Sequence, residues 1–226
     1  MKKDIVKVSY ILNILIVILV VIASIVMFGR INFMHMPNPV EEEHIIGMMK
    51  YFTTDSNLFV GFASLLLVIE EYKVLKDSRK AISPAFYILK FIATVSVSIT
   101  FLTVFLYLGP GSEGGIMSML TNSNLFFHLI IPVLSIVSFV CFEKSNKIDK
   151  KYIKYGLIPT VLYTIFYMVN VLSHIENYKV SIKYDWYWFL QNGLWLIVII
   201  LPLMLVLTYF VSMVLYKLNY KRGNKA

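Results

Sequence analysis

Long runs of apolar residues constrain this chain more than any other feature of its sequence. A helix crosses a bilayer with about 20 predominantly apolar residues, and several continuous runs here reach that length. A membrane β-barrel would instead need short segments of alternating hydrophobicity. A soluble domain of 226 residues with 58% hydrophobic and 15% charged residues would expose too much apolar surface. We therefore predict an all-α polytopic membrane protein.

The apolar runs predict a bundle of six transmembrane helices in a single domain over residues 1–226. The predicted helices cover residues 8–28, 51–69, 82–108, 119–142, 152–172 and 188–216. The first run follows two lysines and superficially resembles a signal peptide. Its hydrophobic core is too long for one and lacks a clear small-residue cleavage site, so we expect it to be retained as a spanning helix.

Basic residues are distributed unevenly between the two sets of connections. One set carries Lys2, Lys3, Lys7, Lys73, Lys76, Arg79, Lys80, Lys144, Lys147, Lys150, Lys151, Lys154, Lys217, Lys221, Arg222 and Lys225. The other set carries Arg30, Lys50, Lys179 and Lys183. The positive-inside rule then predicts a cell-membrane protein with both termini in the cytoplasm. Lys90, about two turns into the third helix, is expected to snorkel back to the cytoplasmic side.

The fourth predicted helix places an ionisable side chain within the apolar region. His128 follows Asn122 and Asn124 and precedes Pro132. Because proline has no N–H, the carbonyl of His128 would lose its α-helical partner. Intramembrane ionisable residues are costly and usually face the bundle interior or a cavity, which favours a functional role for His128. The alternative is a histidine that a neighbouring helix satisfies.

A short pattern, T-x-S-N-L-F, occurs twice in the chain. It runs from Thr54 to Phe59 and again from Thr121 to Phe126, and each copy opens an apolar run. Six positions are too few to establish a duplication. They suggest that two helices present similar polar ends to the same side of the membrane.

Helical spacing places polar residues in stripes on three predicted helices, and we expect these stripes to face a shared cavity. The stripes are Thr53, Asn57, Gly61 and Ser64; Asn124, His128, Pro132, Ser135 and Ser138; and Tyr163, Tyr167, Asn170 and His174. Serines in such stripes commonly serve as packing contacts between helices. The threonine, asparagine and histidine members instead supply hydroxyl, amide and imidazole groups, the nucleophile, oxyanion donor and base of covalent catalysis.

A threonine hydroxyl is a poor nucleophile unless a base accepts its proton. His128 is the first candidate for this base and His174 the second. Asn57, Asn124 and Asn170 are candidates for supporting or oxyanion-binding donors. The N-termini of helices two, four and six are predicted to meet at one face, where their dipoles suit an anionic intermediate or head group.

Three short motifs occur in a fixed order. They are Lys50-Tyr51-Phe52-Thr53 opening helix two, His128 with Pro132 in helix four, and Tyr187-Trp188-Phe189-Leu190 with Gly193 opening helix six. In these motifs the chain resembles the androgen-induced gene product and ADTRP family of multi-pass membrane proteins. Eukaryotic members of that family are threonine hydrolases that cleave esters of hydroxylated fatty acids. The resemblance implies that Thr53 is the nucleophile and His128 its partner.

The chain departs from the family pattern at three points. Trp188 stands where the eukaryotic pattern has proline, and the proline after His128 comes one residue earlier. Thr54, not Thr53, belongs to the T-x-S-N-L-F repeat, so Thr54 is an alternative nucleophile.

These observations favour an intramembrane hydrolase or acyl transferase that acts on a lipid or fatty-acid ester near the outer leaflet. The alternatives are a transporter or binding protein for a small solute or lipid, and an accessory membrane subunit without catalysis. We expect no metal, because the lone Cys141 has no metal-ligand companions. We also expect no other cofactor, and no nucleic-acid partner, because the sequence contains no visible nucleic-acid module. Asn38-Pro39 has the marks of a helix start, and Glu41–Glu43 with His44 is expected to form a solvated acidic turn.

Overall fold

A computed structural model of the protein describes residues 3–35, 45–77, 81–143, 148–181, 183–190 and 192–223. The predicted helix start at Asn38-Pro39 and the acidic turn at Glu41–Glu43 and His44 lie outside these residues.

The described residues form six long helices that pack as an antiparallel bundle, which confirms the all-α prediction. The helices are α1 (Lys3–Phe28), α2 (Phe52–Leu75), α3 (Pro84–Gly111), α4 (Ser123–Cys141), α5 (Lys150–Leu172) and α6 (Ile197–Gly223). The 3-10 turns Ile45–Lys50 and Leu194–Leu196 precede α2 and α6, and a short helix, Gly115–Ser118, follows α3. A two-residue antiparallel hairpin, β1 (Ile175–Glu176) and β2 (Lys179–Val180), follows α5.

Five of these helices are long and apolar enough to cross a membrane, namely α1, α3, α4, α5 and a segment Leu194–Tyr220 that includes most of α6. The second helix, α2, has 24 residues but is not one of the five. It begins with polar side chains and carries Glu70 and Glu71 in its last two turns. The chain is thus a multi-pass membrane protein by helix length and composition.

The bundle has two ends that differ in their polar residues. At one end, which we call the Thr53 end, α1 and α3 terminate while α2 and α4 begin. At the other, which we call the Lys90 end, α1 and α3 begin and α2 and α4 terminate. Apolar side chains such as Val20, Val60 and Ile131 fill the interior between the ends.

A close approach of α1 and α2 depends on Gly61. A Cβ atom at this position would lie 2.9 Å from Cγ1 of Val20, closer than real side chains pack. Glycine therefore allows these two helices to pack at short range.

Two helices begin later than the sequence predicted. The fourth begins at Ser123 instead of residue 119, because Asn122 has φ 48°. The sixth begins at Ile197, after the 3-10 turn Leu194–Leu196, instead of at residue 188, because Trp188 has φ 58° and Gly193 has φ 123°. Positive φ values are incompatible with a right-handed helix, so these residues form turns ahead of the helices.

Two of the helices contain a π-helical turn just before a proline. Val104–Leu108 precedes Pro110 in α3, and Phe126–Ile130 precedes Pro132 in α4. Such single π turns arise where the ordinary hydrogen-bond ladder is interrupted and are frequent at functional sites. The backbone around His128 thus departs from α-helical geometry just ahead of Pro132, while the loss of a partner by the His128 carbonyl stays a prediction.

The expectation that Lys90 snorkels toward solvent is wrong. The side chain is fully buried, and its ammonium group donates to Asn13 and Ser64. Glu143 lies beside it and is fully buried as well. Lys90 is thus satisfied within the bundle.

Candidate functional site

A cavity of about 420 Å³ lies at the Thr53 end of the bundle. Thr53 and Thr54 line it from the first turn of α2, and Asn124 and His128 line it from the start of α4. The segment 183–188 closes another side of the cavity. This volume suits a small-molecule site, which commonly measures about 300–1,000 Å³. Four of the predicted site residues therefore meet at one cavity.

The hydroxyl of Thr53 is available for chemistry. No hydrogen bond within the described ranges involves its Oγ1, although the Thr53 carbonyl accepts from Ser56 Oγ at 3.2 Å and Asn57 Nδ2 at 2.8 Å. The backbone of Thr53 is thus held in place while the side chain faces the cavity. A nucleophile needs this combination of a fixed backbone and an unengaged hydroxyl.

The neighbouring Thr54 is placed differently. Its Oγ1 donates to the Met48 carbonyl at 2.9 Å, and only 2% of the residue is exposed. This bond ties the first turn of α2 to the 3-10 turn Ile45–Lys50. Between the two candidates for nucleophile, the geometry favours Thr53.

His128 lies in the π turn of α4 and is 6% exposed. Its Nδ1 is 2.6 Å from the carbonyl oxygen of Met119. Because a carbonyl can only accept, Nδ1 carries the proton of the neutral ring and Nε2 keeps a lone pair. No hydrogen bond of the described residues engages Nε2. This tautomer is the one that a general base acting through Nε2 requires.

The π turn also determines which backbone carbonyl loses its partner. The Ile131 N–H donates to the Phe126 carbonyl, five residues earlier. The next bond of this kind would run from Pro132, which has no N–H, to the Phe127 carbonyl. Asn57 Nδ2 donates to that carbonyl at 3.0 Å. The Phe127 carbonyl therefore has a side-chain donor in place of the backbone donor that Pro132 cannot supply.

Asn57 is thus a link between helices. The residue is fully buried, and its amide connects α2 to the π turn that holds His128. Its Oδ1 has no hydrogen-bond partner within the described ranges. Asn57 does not line the cavity, whereas Asn124 does. Of the two, Asn124 is the one positioned to touch a ligand.

A second, smaller pocket of about 50 Å³ lies between α2, α3, α5 and α6. Its lining is dominated by apolar and aromatic side chains, among them Phe52, Tyr163 and Met204. Thr53, Leu108 and Tyr187 line both this pocket and the larger cavity. Thr53 therefore lies where an apolar pocket between helices meets a cavity with polar walls.

The backbone amides at the start of α2 already have partners. The Phe52 N–H donates to the Tyr187 hydroxyl at 2.8 Å, and the Thr54 and Asp55 N–H groups donate to the Tyr51 carbonyl. These groups are consequently not open to an anion, contrary to the general expectation for a helix N-terminus. An oxyanion at Thr53 would need a side-chain donor, and Asn124 is available in the cavity.

Tyr187 is a site residue that polar-stripe reasoning missed, although it stands in the third family motif. It is 8% exposed and packs against Tyr163 and Tyr167 of α5. Burial raises the pKa of its phenol to about 12. The hydroxyl therefore stays neutral and fixes the start of α2 by accepting from Phe52.

Two lysines, Lys50 and Lys183, also line the cavity. Lys50 Nζ lies 5.1 Å from the ring centre of Tyr51 and 5.4 Å from that of Trp186. Lys183 Nζ lies 5.4 Å from the ring centre of Tyr184. Aromatic faces hold both cations near the cavity, which favours a ligand with negative charge.

Asn170 and His174 line neither the cavity nor the apolar pocket. Asn170 Nδ2 donates to the Tyr184 carbonyl at 2.8 Å, and the His174 ring stacks on Tyr184 with 3.6 Å between ring centres. These contacts hold the segment after the hairpin against the end of α5. Tyr163 and Tyr167 are the members of this stripe that reach the apolar pocket.

Comparisons of the chain with protein-family models, with curated proteins and with solved structures find no match. The functional argument therefore depends on the geometry of the cavity and on the residues that line it.

Proposed function

We propose that the protein is an intramembrane threonine-type hydrolase, or an acyl transferase with the same nucleophile, that acts on a lipid or fatty-acid ester. The observation that carries this proposal is the position of Thr53 between the apolar pocket and the larger cavity. An ester of a fatty acid has an apolar acyl chain and a polar reacting centre. The apolar pocket suits the acyl carbons next to the reacting carbonyl, and the larger cavity with polar walls suits the reacting centre and its alcohol.

In the proposed reaction, Oγ1 of Thr53 attacks the ester carbonyl while Nε2 of His128 accepts the hydroxyl proton. The carbon–oxygen bond to the alcohol then breaks, and the alcohol leaves with that proton. The product is an acyl-threonine. Water, activated by His128, releases the fatty acid in a hydrolase, and a second alcohol takes the acyl group in a transferase. Asn124 donates to the oxyanion.

Lys50 and Lys183 refine the proposed substrate. Both lysines line the cavity and not the apolar pocket, so they lie on the side of Thr53 away from the proposed acyl chain. An anionic group on that side of the ester would pair with them. We propose an ester that carries a carboxylate or phosphate near the scissile bond.

The proposed orientation places the Thr53 end toward the outer leaflet. In this proposed orientation α2 also spans the membrane, which gives six spanning helices, and both termini lie in the cytoplasm of a cell-membrane protein. The support is the excess of lysine and arginine in the connections at the Lys90 end. Labelling of single cysteines at positions 76 and 147 from outside intact cells would contradict this orientation.

The order of the three sequence motifs supports the same chemistry. The motifs resemble those of the androgen-induced gene product and ADTRP family, and by that resemblance Thr53 and His128 are nucleophile and partner. Both residues line one cavity here, although they lie 75 positions apart in the sequence.

A hydrolysis assay with purified protein tests the proposal. A panel of lipid esters with and without an anionic group is offered to wild type and to the Thr53→Ala, Thr54→Ala and His128→Ala variants. The proposal predicts that Thr53→Ala and His128→Ala are inactive and that a covalent serine/threonine-hydrolase probe no longer labels them. The proposal fails if wild type is no faster than the Thr53→Ala, Thr54→Ala double variant.

A binding or transport protein for an anionic lipid is the second candidate. The cavity volume and its two lysines favour this reading independently of Thr53. Such a protein would bind the same lipids but would not react with the probe. Lipid binding that is weakened in a Lys50→Gln, Lys183→Gln variant and unchanged in Thr53→Ala would favour this binding or transport protein over the hydrolase.

A further inference from the structure

At the Lys90 end, three ionisable side chains from three helices are buried together. Glu71 comes from α2, Lys90 from α3 and Glu143 from just after α4. Each is 0% exposed. We call these three residues the Glu-Lys-Glu cluster. Ionisable groups within a membrane bundle are rare and costly, and they commonly mark ion or proton sites.

Within this cluster, Lys90 and Glu143 balance each other's charge. Lys90 Nζ donates to Asn13 Oδ1 at 2.8 Å and to Ser64 Oγ at 2.5 Å, and lies 3.7 Å from Glu143 Oε1. The same carboxylate oxygen accepts from Asn13 Nδ2 at 3.1 Å and from Ser138 Oγ at 2.6 Å. One ammonium and one carboxylate therefore form a balanced ion pair, and each is hydrogen-bonded to neighbouring side chains.

Glu71 has no such pairing. Neither of its carboxylate oxygens accepts a hydrogen bond of good geometry from the described residues, and neither does Glu143 Oε2. The side chains of Ser9 and Asn13 interact with Glu71 as weak hydrogen-bond donors but supply no positive charge. The groups that face Glu71 are Ser9 and Asn13 of α1, Tyr87 and Lys90 of α3, and Glu143. Lys90 is the cation in this set, and Glu143 already balances it. An ionised Glu71 would leave a buried negative charge without compensation, which is strongly unfavourable.

We propose that Glu71 is a proton-binding site and that its carboxylic acid form is the resting state of the cluster. The bound proton gives Glu71 an O–H donor and reduces the net charge of the three side chains to zero. Glu143 Oε2 is an acceptor in the same cluster that lacks a donor. The proton comes from water at the Lys90 end, where α2 terminates, and returns to it on release.

The geometry favours a proton over a metal ion. Within the described ranges, no three histidine, cysteine, aspartate or glutamate side chains gather as a metal site would require. The ammonium of Lys90 already occupies the space beside Glu143. A proton needs no further ligands and adds no volume.

The adjacent Glu70 supplies a matched control. It is 3% exposed, but its Oε1 accepts from Lys73 Nζ at 2.8 Å, and the Lys73 side chain is 42% exposed. This carboxylate has a cation of its own and a route to solvent. Glu70 should therefore be ionised where Glu71 is protonated, although both lie on the last turns of α2.

Infrared difference spectroscopy of the full chain in vesicles tests the proposal. A protonated carboxylic acid has a carbonyl stretch apart from the amide and carboxylate bands. We expect wild type to show this band at neutral pH, the Glu71→Gln variant to lose it, and the Glu70→Gln variant to keep it. Absence of the band in wild type, or its persistence in folded Glu71→Gln, would overturn the proposal.

A thermal-stability measurement keeps the test decisive if a variant folds poorly. Glutamine is close in shape to a protonated glutamate, so Glu71→Gln should unfold at nearly the same temperature as wild type at neutral pH. A large loss of stability in Glu71→Gln alone would mean that the fold needs the charged form, and would overturn the proposal. Stabilisation of wild type by sodium, absent in Glu71→Gln, would replace the proton with a metal cation and would also overturn it.

Discussion

The two ends of the bundle bury polar side chains in opposite ways. At the Thr53 end, Thr53 and His128 line a cavity of about 420 Å³, and Thr53 Oγ1 and His128 Nε2 have no hydrogen-bond partner among the described residues. At the Lys90 end, Lys90 and Glu143 are packed and hydrogen-bonded to each other's neighbours. A polar group that lines a cavity can therefore contact a ligand, whereas a tightly packed polar group must have its charge and its hydrogen-bonding atoms satisfied within the protein.

The largest expected effect is on catalysis at the Thr53 end. Thr53→Ala and His128→Ala should each lower ester hydrolysis by about 10³-fold or more, and the double variant should be little worse than either single one. Thr53→Ser should keep part of the activity because it keeps a hydroxyl. The measurement is the rate with the best ester found in the panel.

Asn170→Ala is the control for this prediction, since Asn170 lies outside the cavity and holds Tyr184. It should keep the rate. Equal losses of hydrolysis rate in Asn170→Ala and His128→Ala would contradict the distinction between residues that line the cavity and residues that support packing.

At the Lys90 end the largest expected effect is on stability. Glu143→Gln leaves Lys90 as a buried cation without its counter-ion, and we expect a loss of about 3–5 kcal/mol in the free energy of unfolding. Denaturation of the purified protein in detergent measures this loss. Glu143→Gln with the stability of wild type would show that Lys90 is not charged in the folded state or that Glu71 ionises in place of Glu143.

This end is also where prediction from sequence failed. Lys90 was expected to reach the cytoplasmic side, because a lysine two turns into a helix commonly does so. Its partners Asn13, Ser64 and Glu143 come from α1, α2 and the end of α4. Periodicity within one helix cannot reveal contacts among four, and Glu143 reads in the sequence as the start of a charged loop.

The Thr53 end was more predictable, for a physical reason. Thr53, Asn124 and His128 lie near helix starts that an antiparallel bundle must bring to one side, so stripes within single helices located them. Asn170 and His174 lie at the corresponding end of α5, but their side chains hold the segment around Tyr184. The sequence could not distinguish the two cases, because rotation of α5 about its axis depends on packing.

A smaller effect separates the two asparagines at the Thr53 end. Asn57→Ala leaves the buried Phe127 carbonyl without its donor and should cost about 1–3 kcal/mol of stability. Asn124→Ala should leave stability nearly unchanged and lower the hydrolysis rate by about 10²-fold or more if it binds the oxyanion. Unfolding curves and rates for both variants test the pair. A loss of stability in Asn124→Ala and a loss of rate in Asn57→Ala would mean that Asn57 binds the oxyanion and Asn124 supports the fold.

The smallest effect concerns pH and Tyr187. The phenol has a pKa of about 12 in the fold and 10.0 as its ordinary value. Below pH 10 it is neutral in both states; above that, only the unfolded chain ionises, so the folded state loses stability as pH rises. Tyr187→Phe should reduce this alkaline loss and cost about 1 kcal/mol at neutral pH, because Phe52 loses its acceptor. Unfolding between pH 8 and 12 measures both.

The central claim is that Thr53 forms a covalent acyl intermediate with His128 as its base. The most direct measurement is to trap the intermediate by acid quenching during turnover, or with a slowly released ester, and to map the modified peptide by mass spectrometry. The claim predicts an acyl group on Thr53, absent in the His128→Ala variant. An acyl group on Thr54 or another residue, or turnover without any covalent adduct, would contradict it.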